Sequence, residues 1–233
     1  MSSSLCKSNQ LLATVFMCAF ASICSAQEEP ESHFFTTTDN VRIHYLSIGD
    51  VGSYVLLIHG FASNAQRGWF NHGIPQLLAQ NHRVIAIDTR NHGESQMVKP
   101  ASPGSALEVR ELIEHLGINK VHIHGYSMGA GIVKQLLGEI PEHFLTASLG
   151  GSGILERSAG KEDVNFNLTD IDIPIMAING SSNTPFIKTV RMTRELTDFT
   201  NFILPGSNHM NAMYPDTGYA ERLAFFIDIN DKK

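Results

Sequence analysis

Val121-His122-Ile123-His124-Gly125-Tyr126-Ser127-Met128-Gly129-Ala130-Gly131-Ile132 joins a β-branched run to a helix-forming one through a single serine. Val121 to Gly125 has the residue types of a buried strand, and Gly129 to Leu137 has those of a helix. Ser127 between them must occupy a sharp strand-to-helix turn in a strained backbone conformation. The small residues Gly125 and Gly129 on either side let strand and helix approach closely. Such a turn lifts the Ser127 hydroxyl above the sheet. It also aims the Met128 N–H, at the positive end of a helix, at an oxyanion forming on a group that Ser127 attacks.

The rest of the chain alternates strands and helices. Phe34–Thr38 and Val41–Ser47 flank the turn Asp39-Asn40 as an early hairpin. Tyr54–Ile58 and Arg83–Ile87 are continuous apolar runs, expected of strands buried on both faces. Leu145–Leu149, Pro174–Ile178 and Phe199–Leu204 read as three more strands. Helices are expected over Ile74–Gln80, Ala106–Leu116 (stopped by Gly117), Thr189–Leu196 and Gly218–Ile227. This order predicts an α/β fold, a mostly parallel central sheet with helices on both faces. Functional residues in such sheets gather at the carboxyl ends of the strands.

With 233 residues, 42% hydrophobic, the chain suits one sizeable core rather than two full domains. A formal net charge of −6 gives no reason to expect nucleic acid or an anionic membrane as partner. Residues 1–26 stand apart. Met1–Gln10 is polar with one cation, Lys7; Leu11–Ala21 is almost wholly apolar; Cys24-Ser25-Ala26 supplies small residues where a signal peptidase cleaves. The expectation is a signal peptide followed by a single domain over 27–233, secreted or periplasmic. A retained anchor would need roughly 20 apolar residues, more than this run holds, so no stable membrane insertion is expected. A lipoprotein signal is disfavoured by bulky Ile23 before Cys24. Cleavage would remove all three cysteines, Cys6, Cys18 and Cys24, and with them any disulfide, cysteine nucleophile or thiolate metal site.

Four motifs in order resemble those of the α/β-hydrolase fold family. They are His59-Gly60-Phe61 after strand Tyr54–Ile58, the loop Asp88-Thr89-Arg90-Asn91-His92-Gly93-Glu94-Ser95, the Ser127 turn, and Pro205-Gly206-Ser207-Asn208-His209-Met210. The likeness spans about 34–227 and implies an α/β-hydrolase fold with a minimal cap. It implies Phe61 N–H as a second oxyanion donor, His59 as a structural residue of its turn, and His209 as general base to Ser127. Asn91 stands where the family has glycine. Asp88 and Arg90 read as a structural ion pair or loop clamp, and His92 as a hydrogen-bonded loop residue. His122 and His124 share one strand face without a third ligand at suggestive spacing, so they read as satisfied strand histidines, not a metal pair. Neither a metal nor a cofactor is expected.

The family's acid follows strand Pro174–Ile178, but here Gly180-Ser181-Ser182-Asn183-Thr184 puts Asn183 at that place. Three readings stay open. Either Asn183 orients His209 through its amide oxygen, or a carboxylate, Glu156 or Asp216, has migrated into place, or the site binds without turning over. Only Gly150 to Ile173 connects the strands between which many members insert a large lid, so an open site for small or medium esters is expected. Phe61, Trp69, Phe70, Tyr126, Met210 and Met213 are the expected walls, with a core position the alternative for Trp69. Ser127 argues against haloalkane dehalogenation, which would use aspartate there. Ester, lactone, amide, thioester and carbon–carbon hydrolysis and perhydrolysis share the Ser-His apparatus, and ester cleavage is the default. A non-catalytic ligand-binding protein on the same scaffold is the competing class.

Overall fold

The computed structural model describes residues 29–99, 105–154, 167–183 and 185–231. The leader 1–26 and Glu156 lie outside the described residues. Eight strands form one sheet: β1 (Glu31–Thr36), β2 (Arg42–Ile48), β3 (Tyr54–Ile58), β4 (Arg83–Asp88), β5 (Val121–Tyr126), β6 (Phe144–Gly150), β7 (Ile175–Gly180) and β8 (Phe199–Leu204). Their spatial order is β1-β2-β4-β3-β5-β6-β7-β8. The pairs β1–β2 and β2–β4 are antiparallel and all others parallel.

Alternation along the strands builds a core on each face. Leu56 and Ile58 of β3, with Ile85 and Ile87 of β4, pack against α3 (Ala106–His115) and α4 (Met128–Glu139) through Val109, Leu112, Val133 and Leu136. Val55 and Leu57, with Val84 and Ala86, face the other way. They join Ile74 and Leu78 of α2 (Ile74–Leu78) and Leu223, Phe226 and Ile227 of α6 (Tyr219–Asn230). α3 opens with a capping box in which Ser105 N–H donates to Glu108 Oε1 at 3.0 Å and the Ser105 hydroxyl to Oε2 at 2.6 Å. Gly117, at φ +63°, ends it as expected.

Three elements differ from their sequence expectation. β1 begins at Glu31 and stops at Thr36, because Thr37 is drawn into the turn, where its N–H donates to Val41 O at 3.0 Å and Asn40 N–H donates to Thr37 O at 2.9 Å. A short helix, α1 (Ala65–Gly68), follows the His59-Gly60-Phe61 turn; Asn64 Oδ1 caps it by accepting from Arg67 N–H at 2.8 Å. α5 (Pro185–Glu195) begins four residues before Thr189, with proline in the first turn, where a missing N–H costs nothing.

β3, β5, β6, β7 and β8 run parallel, so Ile58, Tyr126, Gly150, Gly180 and Leu204 all end at one edge of the sheet. The site lies there, where β3 is flanked by β4 on one side and β5 on the other.

Candidate active site

Ser127 sits between β5 and α4 with φ +53° and ψ −105°, a conformation rarely adopted by residues with a side chain. Such strain costs about 1–3 kcal/mol. Burial of one or two aliphatic side chains, each worth about 1.5–3 kcal/mol, offsets it. The turn is fixed from both sides. Ser127 N–H donates to Gly150 O at 2.8 Å, extending the β5–β6 ladder. A Cβ on Gly125 would lie 2.3 Å from the Gly129 backbone, and one on Gly129 would lie 2.1 Å from Ile58 O. Only glycines permit strand, helix and β3 to close on one another here.

His209 Nε2 lies 2.9 Å from Ser127 Oγ, and its Nδ1 is 3.2 Å from Asn183 Nδ2. Serine, imidazole and amide therefore form a continuous hydrogen-bonded row at the ends of β5, β8 and β7. With the amide nitrogen toward Nδ1, the imidazole carries its proton on Nε2 and points it at the serine. A half-turn of the amide presents Oδ1 instead. Nδ1 then holds the proton, and Nε2 is free to accept the one from Ser127. Asp216 is exposed in a short turn before α6, and Asn183 occupies the flank of His209 that it would have needed to reach.

Met128 opens α4, so its N–H has no carbonyl one turn earlier in the helix. Phe61 follows the β3 turn and is 73% exposed at the mouth of a cavity of about 420 Å³. Ser127, His209, Phe61, Arg67, Met210 and Met213 are among the residues that line it. Tyr126 lines it too, but its hydroxyl donates to His209 O and its ring lies 5.3 Å from the imidazole. Tyr126 thus anchors the loop that carries the base. Burial drives its phenol pKa upward.

Trp69 is a correction. It is fully buried, packed edge-on against His124 at 5.3 Å, and does not line the cavity. Phe70 is likewise a core residue. The capped turn of α1 rotates both rings inward and leaves Arg67 and His72 on the cavity side, two residues that sequence reasoning passed over. Asn64 ahead of the turn was the available signal.

Of the two readings of Asp88 and Arg90, the loop clamp holds and the mutual ion pair does not. Asp88 accepts from Ala65 N–H at 2.6 Å, Glu94 N–H at 2.9 Å and His44 Nδ1 at 2.8 Å. Burial works to raise its pKa, but these bonds outweigh it and hold the carboxyl below its usual value. Arg90 instead bridges Glu108 and Asp39, each at 2.8 Å. Both residues clamp the loop, through separate partners. His92 is hydrogen-bonded within it to Thr89 Oγ1.

His59 Nδ1–H donates to Gly60 O at 2.8 Å, and its Nε2 accepts from Thr89 N–H at 3.1 Å, the structural role expected of it. His122 pairs with Thr146 and Asp231, and His124 with Ser148 and Tyr219, so both strand histidines have partners on each nitrogen. Among the described residues no group of three His, Cys, Asp or Glu is placed to hold a metal, and no helix is long and apolar enough to cross a membrane.

Burial pushes the His59 pKa down to about 4 and that of His124 down to about 3. The unfolded chain, with ordinary values near 6.5, binds protons that the folded chain refuses. Stability is thus full above about pH 6.5 and falls as the pH drops toward 4, by up to about 1.4 kcal/mol per pH unit for each imidazole. The urea midpoint should therefore fall steeply between pH 6.5 and 4.5. A flat midpoint over that range would contradict the burial of both rings.

A sequence profile of the alpha/beta hydrolase fold matches residues 54–167. The dihydrolipoyllysine-residue acetyltransferase component of the acetoin cleaving system of Cupriavidus necator is 30% identical over 53% of this chain and 33% of its own length. A 2-hydroxy-6-oxononadienedioate/2-hydroxy-6-oxononatrienedioate hydrolase of Cupriavidus pinatubonensis is 34% identical over 47% of this chain and 40% of its own. The chain thus spans between a third and two fifths of these curated relatives. Among solved structures, a thermophilic esterase from Thermogutta terrifontis superposes with a TM-score of 0.72 at 16% identity, covering 86% of this chain and 99% of the esterase. The fold is that of the α/β-hydrolases.

Proposed function

We propose that this α/β-hydrolase-fold chain is a serine hydrolase that cleaves small or medium carboxylic esters through an acyl-Ser127 intermediate. The observation that carries the proposal is the 2.9 Å approach of His209 Nε2 to a serine held at positive φ between strand and helix. His209 takes the Ser127 proton as Oγ attacks the ester carbonyl. The oxyanion forms between the Phe61 and Met128 N–H groups. The same proton then goes to the leaving alkoxide, and water, activated by His209, releases the acid. Asn183, with Oδ1 toward Nδ1, holds the productive tautomer without supplying charge.

A cavity of about 420 Å³ that opens past Phe61 and Met210 suits an acyl group of modest size. Carboxylic esters are favoured by the proximity of the esterase fold, and export by the leader-like residues 1–26. The amide nitrogen facing Nδ1 supports one other reading, a ligand-binding protein with little or no turnover.

An alkyl fluorophosphonate should label Ser127, as located by peptide mapping, and p-nitrophenyl butyrate should be hydrolysed. A folded protein that neither labels at Ser127 nor hydrolyses the ester would leave the binding protein as the better description.

A further inference from the structure

On the other side of β3 from Ser127, strands β1, β2 and β4 assemble a second serine–imidazole–carboxylate row. Ser32 Oγ of β1 lies 2.9 Å from His44 Nε2 of β2, and His44 Nδ1 lies 2.8 Å from Asp88 Oδ2 at the end of β4. Register brings the three together. Phe34 pairs with His44 across β1–β2, and His44 pairs with Asp88 across β2–β4, so Ser32, two residues along on the same face as Phe34, reaches the imidazole diagonally.

The protonation states follow from the partners. Asp88 is held ionised by two backbone N–H donors in addition to the imidazole, so it can only accept. In the neutral imidazole of His44 the proton sits on Nδ1, toward the carboxylate, and Nε2 presents its lone pair to Ser32. This is the tautomer a general base needs, with a charged group behind it to stabilise the imidazolium. Asn183 at the Ser127 site provides only an amide. His44 and Asp88 are buried, whereas Ser32 is exposed, so the base is rigid and the hydroxyl can be reached. A cavity of about 320 Å³ lies against His44 and Asp88, with Asn64 and Gln66 also on its wall; Ser32 lies outside it, on the exposed face.

We propose that Ser32 is a second nucleophile of this protein, activated by His44 and Asp88 and acylated or phosphonylated by small activated donors. Ser32 Oγ attacks the acyl carbon or phosphorus as its proton passes to His44 Nε2. The bond to the leaving group breaks, and that proton leaves with the alkoxide, phenolate or fluoride. Ser32 lies on an extended edge strand, not at a strand–helix turn with a helix N-terminus beside it. The expected product is accordingly a long-lived adduct on Ser32, formed once per chain, rather than rapid turnover.

The test uses Ser127→Ala, which removes the first nucleophile. Treated with a small alkyl fluorophosphonate, or in parallel with p-nitrophenyl acetate, this variant should gain one adduct, mapped to Ser32. Its rate should exceed that of the same serine in the urea-unfolded chain by about 10²-fold, the contribution of a positioned base. Ser32→Ala in that background should abolish the adduct, a safe change at an exposed site, and His44→Gln should reduce the rate to that of the unfolded chain. Failure of Ser32 to label faster than in the unfolded chain would overturn the proposal, as would undiminished labelling in a folded His44→Gln protein. Neither outcome depends on whether Ser127 turns over esters.

Discussion

Asn183→Asp should raise ester turnover by roughly 10²–10⁴, since the reverse change in a serine protease costs about 10⁴ with the geometry intact. The side chains are nearly isosteric, and Asn183 already lies 3.2 Å from His209 Nδ1, so the carboxylate would meet the imidazole without rebuilding the loop. Two gains combine. The amide can present nitrogen or oxygen to Nδ1, and only the oxygen selects the tautomer whose Nε2 accepts from Ser127; a carboxylate has no wrong orientation. It also stabilises the imidazolium that forms as the proton moves, which the neutral amide cannot. The gain should appear in kcat, because the new charge acts on the transition state and not on substrate binding. Steady-state kinetics with p-nitrophenyl butyrate measure it. An unchanged or lower kcat would mean that Asn183 does not serve as the orienter.

Ser127 and His209 could be found from sequence because the elbow's glycines and the order of motifs are local signals, each carried by neighbours within a few residues. Asn183 could be found for the same reason, as an amide in a loop where a carboxylate was expected. Their spatial meeting at 2.9 and 3.2 Å required only that three strands end at one sheet edge, which alternation of strands and helices already implied.

Side-chain direction was less legible. Trp69 follows the Phe61 turn closely enough to suggest a cavity wall, yet whether it points in or out depends on the phase of α1, a turn only four residues long. Four residues are too few for periodicity to show. Among the described residues the fully buried indole finds no partner for its Nε1–H, an arrangement that costs about 1–3 kcal/mol and that its contacts with the core must outweigh. Asp88 and Arg90 illustrate a second limit. Proximity in sequence suggested a mutual pair, but Asp88 ends β4 and Arg90 lies two residues on, beyond the strand's regular alternation. Their partners His44, Asp39 and Glu108 lie in other elements, where no local pattern points to them. His44 itself reads as an ordinary strand residue until β1 and β4 are laid beside it.

Ser127→Ala should have an effect whose size depends on residue 183, and that dependence tests the whole row at once. In serine proteases, loss of the nucleophile from a complete triad lowers kcat by roughly 10⁶, and loss of the acid alone by roughly 10⁴. A row that already lacks the carboxylate retains only about 10² of serine-dependent acceleration. Ser127→Ala in the natural chain should therefore reduce ester turnover about 10²-fold. In the Asn183→Asp background the same change should reduce it by as much as about 10⁶-fold, down to the same floor set by binding and the oxyanion donors. His209→Ala should reach that floor in both backgrounds and add nothing to Ser127→Ala, because base and nucleophile act as one unit. The two single changes and the double form a cycle whose coupling reads out the link from residue 183 through His209 to Ser127. Equal losses in both backgrounds would show that the amide at 3.2 Å from Nδ1 sits beside the imidazole without acting through it.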